Sequence, residues 1–194
     1  MPADLDNSLP ELLGHLSVLS RPVTGVLQAG LPERILLEKA ANAGLVLPGD
    51  VIKLYAWRDG TLDYPGAMLD DIHIIPGFYF PSLYETLANH AVFRDDARWN
   101  PSWLPLLANG GGDFFAVDCS DNPGSWGHVR HFMLGEPEHH VLYLTVSSMF
   151  ETFVAAFDRG IFFLHPSGHL DADDEAYAAL ARTVNPEARG WDAY

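Results

Sequence analysis

The sequence predicts an α+β fold: one domain, with a mostly antiparallel sheet of about five or six strands and flanking helices. Three observations carry this. Helical patterns at both ends enclose a central run of short apolar segments. Those segments are joined by tight glycine- and asparagine-rich turns, and a tight turn reverses the chain, so neighbouring strands pair antiparallel. The 194 residues, 48% of them hydrophobic, suffice for one core, whereas two full domains would be cramped. No internal repeat, low-complexity segment or dividing linker is present in the chain.

The elements follow in order. Ser8 and Glu11 fit a capping box, Pro10 suits a first turn, and Leu9, Leu12, Leu13 and Leu16 keep helical spacing until Arg21-Pro22. Pro32 opens a second helix with Leu36, Ala40 and Ala43 on one face and Gly44 as its C-terminal cap. Pro48-Gly49-Asp50 starts a third, with Val51, Leu54 and Tyr55 as its apolar stripe and Gly60 as a left-handed end. Ile72-His73-Ile74-Ile75, stopped by Pro76-Gly77, reads as a strand. Ser82 and Glu85 form a second capping box, followed by Leu83, Leu87 and His90 on one helical face. Residues 91–102 read as a loop.

The central β region comes next. Residues 103–107 form an apolar run, Asn109-Gly110-Gly111-Gly112 a reversal, and 113–118 the returning strand. Asp121-Asn122-Pro123-Gly124 is a second turn, and 128–134 and 141–146 are two further strands. Ser148 and Glu151 begin a helix with Phe150, Phe153, Val154, Phe157 and Ile161 at helical spacing, closed by Arg159-Gly160. Residues 161–164 form a short strand. Acidic residues 171–175 then start a last helix with Tyr177, Leu180, Ala181 and Val184 as its core face. This order places the helices on one face of the sheet.

Charge narrows the function. The chain has 11 Lys+Arg against 26 Asp+Glu, a formal net charge of −15. Phosphate-backbone binding needs clustered Lys and Arg, so nucleic acid is excluded as a partner, and capture of a basic partner is favoured. The N-terminus lacks a basic start and apolar run, and no apolar stretch is long enough for a membrane span. A cytoplasmic protein with no membrane partner is expected.

The histidines, the cysteine and the glycine run are the candidates for chemistry. His128 and His131, three apart on a strand, point to opposite faces and make poor co-ligands. His139 and His140 sit in a turn beside Glu136 and Glu138, and His165 and His169 flank a Pro-Ser-Gly turn, as solvated polar residues do. Cys119 alone forms no internal disulfide and packs as a small apolar residue unless a histidine activates it. Ser125 lacks the Gly-x-Ser-x-Gly elbow, and Gly110-Gly111-Gly112 leads into a strand rather than a helix, which argues hairpin over phosphate loop. No catalytic set, metal or cofactor is called for. Trp126, in a Gly/Pro-rich loop, is an exposed anchor for a partner or a local lid. Asp59, Asp63, Asp70 and Asp71 cluster with only Arg58 nearby; such a cluster is either a solvated face or a binding field.

Leu47-Pro48, Leu54-Tyr55, Asp59-Gly60, Trp103-Leu104-Pro105 and the block Gly110-Gly111-Gly112-Asp113-Phe114-Phe115-Ala116-Val117-Asp118 together resemble the SUKH superfamily, the Smi/Knr group named for a fungal cell-wall-assembly regulator. The helix around Phe150-Glu151-Thr152-Phe153 resembles that family's last helix, so the family-like core runs over about 31–164, with helical additions at both ends. The resemblance implies an α+β fold and a non-catalytic protein-binding role. In bacteria that role is immunity against polymorphic toxins, often nucleases; in fungi it is signalling and scaffolding. An acidic inhibitor matches the cationic cleft of a nuclease, with Asp59, Asp63, Asp70, Asp71, Asp118 and Asp121 supplying the field and Trp126 the apolar anchor. Three classes remain: a toxin-neutralising protein, a scaffold module of the same fold, and an enzyme using His139, His140 or Cys119.

Overall fold

The computed structural model of the protein describes residues 4–62 and 66–194. Among them, six strands form one antiparallel meander in chain order: β3 (His73–Ile75), β4 (Phe78–Tyr79), β5 (Trp103–Ala108), β6 (Phe114–Asp118), β7 (Val129–Phe132) and β8 (Val141–Tyr143). Two small antiparallel pairs accompany it: β1 (Leu27–Ala29) with β2 (Arg58–Thr61), and β9 (Phe162–Leu164) with β10 (Leu170–Ala172). The predicted α+β class and sheet stand. The glycine turn joins β5 to β6, with Gly110 at φ 77° and Gly112 at φ 101°.

Helix boundaries moved where capping chemistry was misassigned. Helix α1 (Leu5–Val18) begins at Asp4, whose carboxylate accepts from the Asp6 N–H at 3.1 Å. Ser8 is instead a buried residue whose hydroxyl donates back to the Asp4 carbonyl at 3.1 Å, and Pro10 lies inside the helix. Leu5, Leu9, Leu12 and Leu16 face the core. Helices α2 (Glu33–Asn42) and α3 (Gly49–Trp57) open at the prolines that the sequence indicates. Gly60 does have positive φ, 70°, but it lies inside β2 rather than ending α3. Helix α4 (Leu83–Phe93) keeps half of its capping box: Ser82 accepts from the Glu85 N–H at 3.2 Å, while the Glu85 carboxylate is taken by the Tyr79 hydroxyl. Helix α5 (Val146–Asp158) starts at Thr145, which accepts from the Ser148 N–H at 2.9 Å, so Val146 belongs to the helix and β8 stops at Tyr143. Helix α6 (Asp174–Val184) is capped by Asp173, and a 3₁₀ turn over Arg189–Ala193 follows.

The expected placement of helices on one face of the sheet needs correction. Antiparallel strands alternate their side chains, so β5 and β6 feed two clusters. Leu104, Leu107, Phe115 and Val117 join the large core built with α1, α3 and α5. Trp103, Ala108, Phe114, Ala116 and Phe132 form a second cluster on the opposite face, capped by Phe93 at the end of α4 and by Trp99. The segment expected to be plain loop thus supplies a tryptophan only 4% exposed. Both faces are covered, which is why every residue of β5 and β6 is buried.

Candidate functional site

The acidic residues do not assemble into one patch. Asp59, on β2, turns its carboxylate to the Leu83 N–H at 2.8 Å and so completes the first turn of α4. Half-burial there raises its pKa, chiefly by desolvation, against that hydrogen bond. Asp118 is 4% exposed and accepts from the Ser120 N–H at 2.9 Å, so its carboxylate supports the turn beyond β6 instead of facing a partner. Asp70 is exposed beside His73 at 3.4 Å, and Asp71 accepts from the Met68 N–H at 3.1 Å. Asp63 lies outside the described residues. Asp121 is exposed.

Position along the sheet separates the remaining members. Asp70 and Asp71 follow Leu69, whose side chain lies against Gly110 in the β5–β6 turn. Asp121 and Trp126 lie beyond the other end of β6. The five residues of β6 stand between these ends, roughly 13 Å at about 3.3 Å per residue. Two separate acidic points result, and Trp126, the expected anchor, stands at one of them.

That anchor is held firmly. Trp126 is 45% exposed, and its indole N–H donates to the Val46 carbonyl at 3.3 Å. Val46, 59% exposed, is itself tied by its N–H to the Cys119 carbonyl at 3.4 Å. The turn under Trp126 is closed by the Trp126 N–H on the Asn122 carbonyl at 2.9 Å and the Gly127 N–H on the Asp118 carbonyl at 2.8 Å. An exposed Trp–Val pair on a closed turn beside Asp121 is therefore pre-ordered, and binding through it loses little conformational entropy. The sequence indicated Trp126 but not Val46, because their pairing joins two loops far apart in the chain.

Reactive groups are muted. Cys119 is 3% exposed, and burial together with Asp118 pushes its thiol up. Among the described residues no three His, Cys, Asp or Glu side chains are grouped to hold a metal ion. A cavity of about 560 Å³ lies between the sheet and the C-terminal segment. His131 lines it, stacked on Phe115 at 5.0 Å with Nδ1 3.2 Å from the Tyr194 hydroxyl. Burial pushes the His131 pKa down to about 4, so the ring is neutral near pH 7. Phe162, Tyr177 and Trp191 make the rest of that cavity largely aromatic.

These features define an acidic α+β domain built on a helix-covered antiparallel meander. The model of the SMI1 / KNR4 family (SUKH-1) matches residues 31–156, well over half of the chain, and the protein belongs to that family. The match stops inside α5, so α6 and the closing 3₁₀ turn that form one wall of the large cavity lie beyond it. Membership supports a protein as the class of partner. No curated protein matches the chain. Among the described residues no helix is long and apolar enough to cross a membrane.

Proposed function

We propose that the protein is a non-catalytic binding domain acting in the cytoplasm as an immunity protein, which neutralises a basic toxin domain, a nuclease being the class its charge fits. The observation that carries this is the exposed Trp126–Val46 pair, fixed on a closed turn beside Asp121, in a chain of net charge −15. A long-range negative field speeds encounter with a cationic cleft, and a rigid aromatic anchor slows dissociation. Asp70 and Asp71 extend the field without sharing the contact. Family membership supports the protein-binding part of this reading.

The test is to express the reading frames adjoining this protein's gene and to titrate any basic nuclease domain among them by calorimetry at two salt concentrations; adjoining frames that encode no such domain would favour a scaffold role. Trp126→Ala is expected to weaken binding by roughly 30-fold, the loss of about 2 kcal/mol typical of a central aromatic anchor. Asp121→Lys is expected to slow association and flatten the salt dependence. Unchanged affinity and salt slope in both variants would place the contact elsewhere. A toxin domain that stays active with the protein in excess would exclude neutralisation.

A further inference from the structure

One concave spot on this acidic protein is cationic. A cavity of about 360 Å³ is lined by His128, Arg130, His139, His140 and Arg189, with Glu187 as the acidic group in its wall. Arg130 enters from β7. Its guanidinium lies over the Trp103 ring at 5.2 Å and donates through Nη1 to the His139 carbonyl at 3.1 Å. Its closest acidic influence is Asp118, yet among the described residues Arg130 has no ion-pair partner within 4.0 Å. A half-buried guanidinium without a counter-ion is costly.

Hydrogen-bond accounting shows what is missing. Seven buried side-chain atoms lack partners among the described residues; three belong to residues that line this cavity, Arg130 Nε and both ring nitrogens of His139, and Trp99 Nε1 and Trp103 Nε1 lie behind it in the aromatic cluster. His139 packs on Phe132 at 4.3 Å and edge-on to Trp103 at 6.1 Å, and Trp103 meets Trp99 at 5.7 Å, so the five belong to one cluster. The indole and guanidinium atoms are donors only, and a neutral imidazole offers one donor and one acceptor. The site therefore holds a surplus of donors and a deficit of acceptors. Buried polar groups are nearly always satisfied, so an acceptor-rich group belongs there.

We infer that this cavity binds a compact oxyanion, a phosphate or carboxylate group, seated against Arg130 and ringed by His139, His140 and Arg189. The inference does not depend on the toxin-binding reading, which uses a different surface. The anion pairs with the guanidinium through charge-assisted hydrogen bonds. Its charge favours protonated His139. The groups acting on His139 are Arg98, Arg130, Asp96 and His140, with Glu138, Glu187, Asp118 and Arg189, itself paired with Asp192 at 3.7 Å, around the cavity. Burial first, and then Arg98 and Arg130 against Asp96, hold His139 below its ordinary pKa. Binding therefore strengthens as pH falls through the histidine range.

The experiment uses the full chain and NMR of the histidine rings, titrated with sodium phosphate, sodium acetate and, at matched ionic strength, sodium chloride. Saturable shifts of the His139 and His140 ring signals, with a raised apparent pKa at His139, are expected for phosphate or acetate but not for chloride. The anion that saturates first identifies the source, a phosphate or a carboxylate. Arg130→Gln is expected to weaken binding about tenfold or more, since a lost charge-assisted hydrogen bond carries about 1.5–3 kcal/mol. Should that variant fail to fold, Arg189→Ala with His140→Ala, both at the exposed rim, must weaken binding at least threefold. Linear shifts indistinguishable from chloride, or equal affinity in the folded variants, overturn the inference: the cavity then holds water alone.

Discussion

Substituting Gly60 by alanine separates two effects that usually come together. Gly60 and Gly44 share a left-handed backbone, φ 70° and 76°. At Gly44 an added methyl meets nothing within 4 Å. At Gly60 it overlaps the backbone of Pro81 and Ser82, with the Pro81 carbonyl oxygen at 2.5 Å. That approach is enforced from both sides: the Thr61 N–H donates to the Phe80 carbonyl at 2.8 Å, and Asp59 accepts from the Leu83 N–H at 2.8 Å. Gly44→Ala should lose only the left-handed penalty, about 1 kcal/mol. Gly60→Ala should lose that plus an overpacking penalty of about 1–3 kcal/mol, because both neighbours are backbone and neither can swing aside. Its total, about 2–4 kcal/mol, corresponds to a fall in Tm of about 4–16 °C for a domain of this size. Urea unfolding followed by tryptophan fluorescence, with thermal unfolding alongside, measures both variants. Equal losses within about 0.5 kcal/mol would refute the reasoning and show that conformation alone sets the need for glycine at position 60.

Two further outcomes follow from burial. His131 is neutral when folded, with its pKa at about 4 against an ordinary 6.5, so the unfolded chain binds the proton first. Its contribution is intact above pH 6.5 and is lost as pH falls toward 4, up to about 3 kcal/mol; urea midpoints of His131→Gln should lack this acid-side slope, and an unchanged slope would assign it to other groups. Cys119, buried with its thiol pushed up, should resist a thiol reagent at pH 8 in native protein and react fully in denaturant; rapid native labelling would contradict its packing role.

The Asp59-Gly60 pair shows how far a sequence motif can be read. Both residues carry the family resemblance, and positive φ at Gly60 was legible because glycine alone adopts it freely. Their shared task was not: Gly60 lets β2 approach the start of α4, and Asp59 caps that start from another element. The same limit explains the split acidic surface. Asp70 and Asp121 look alike in the chain, yet opposite ends of β6 keep them apart. Trp99 sat in a polar segment without periodicity, so its burial left no local signal. Nothing local marks Arg130 within its strand, and its unpaired neighbours come from three other segments.

Local chemistry wrote the helices α1 to α6, the strands β3 and β5 to β9, the β5–β6 reversal and the acidic balance into the chain, because spacing, turn residues and charge act over a few neighbours or over the whole molecule; β1, β2, β4 and β10 left no such signal. Tertiary structure alone decided which carboxylates face inward, that the sheet is covered on both sides, that Val46 meets Trp126, and that donors outnumber acceptors around Arg130. Those outcomes depend on groups distant in the chain competing for the same space and the same hydrogen bonds, and no local pattern encodes that competition.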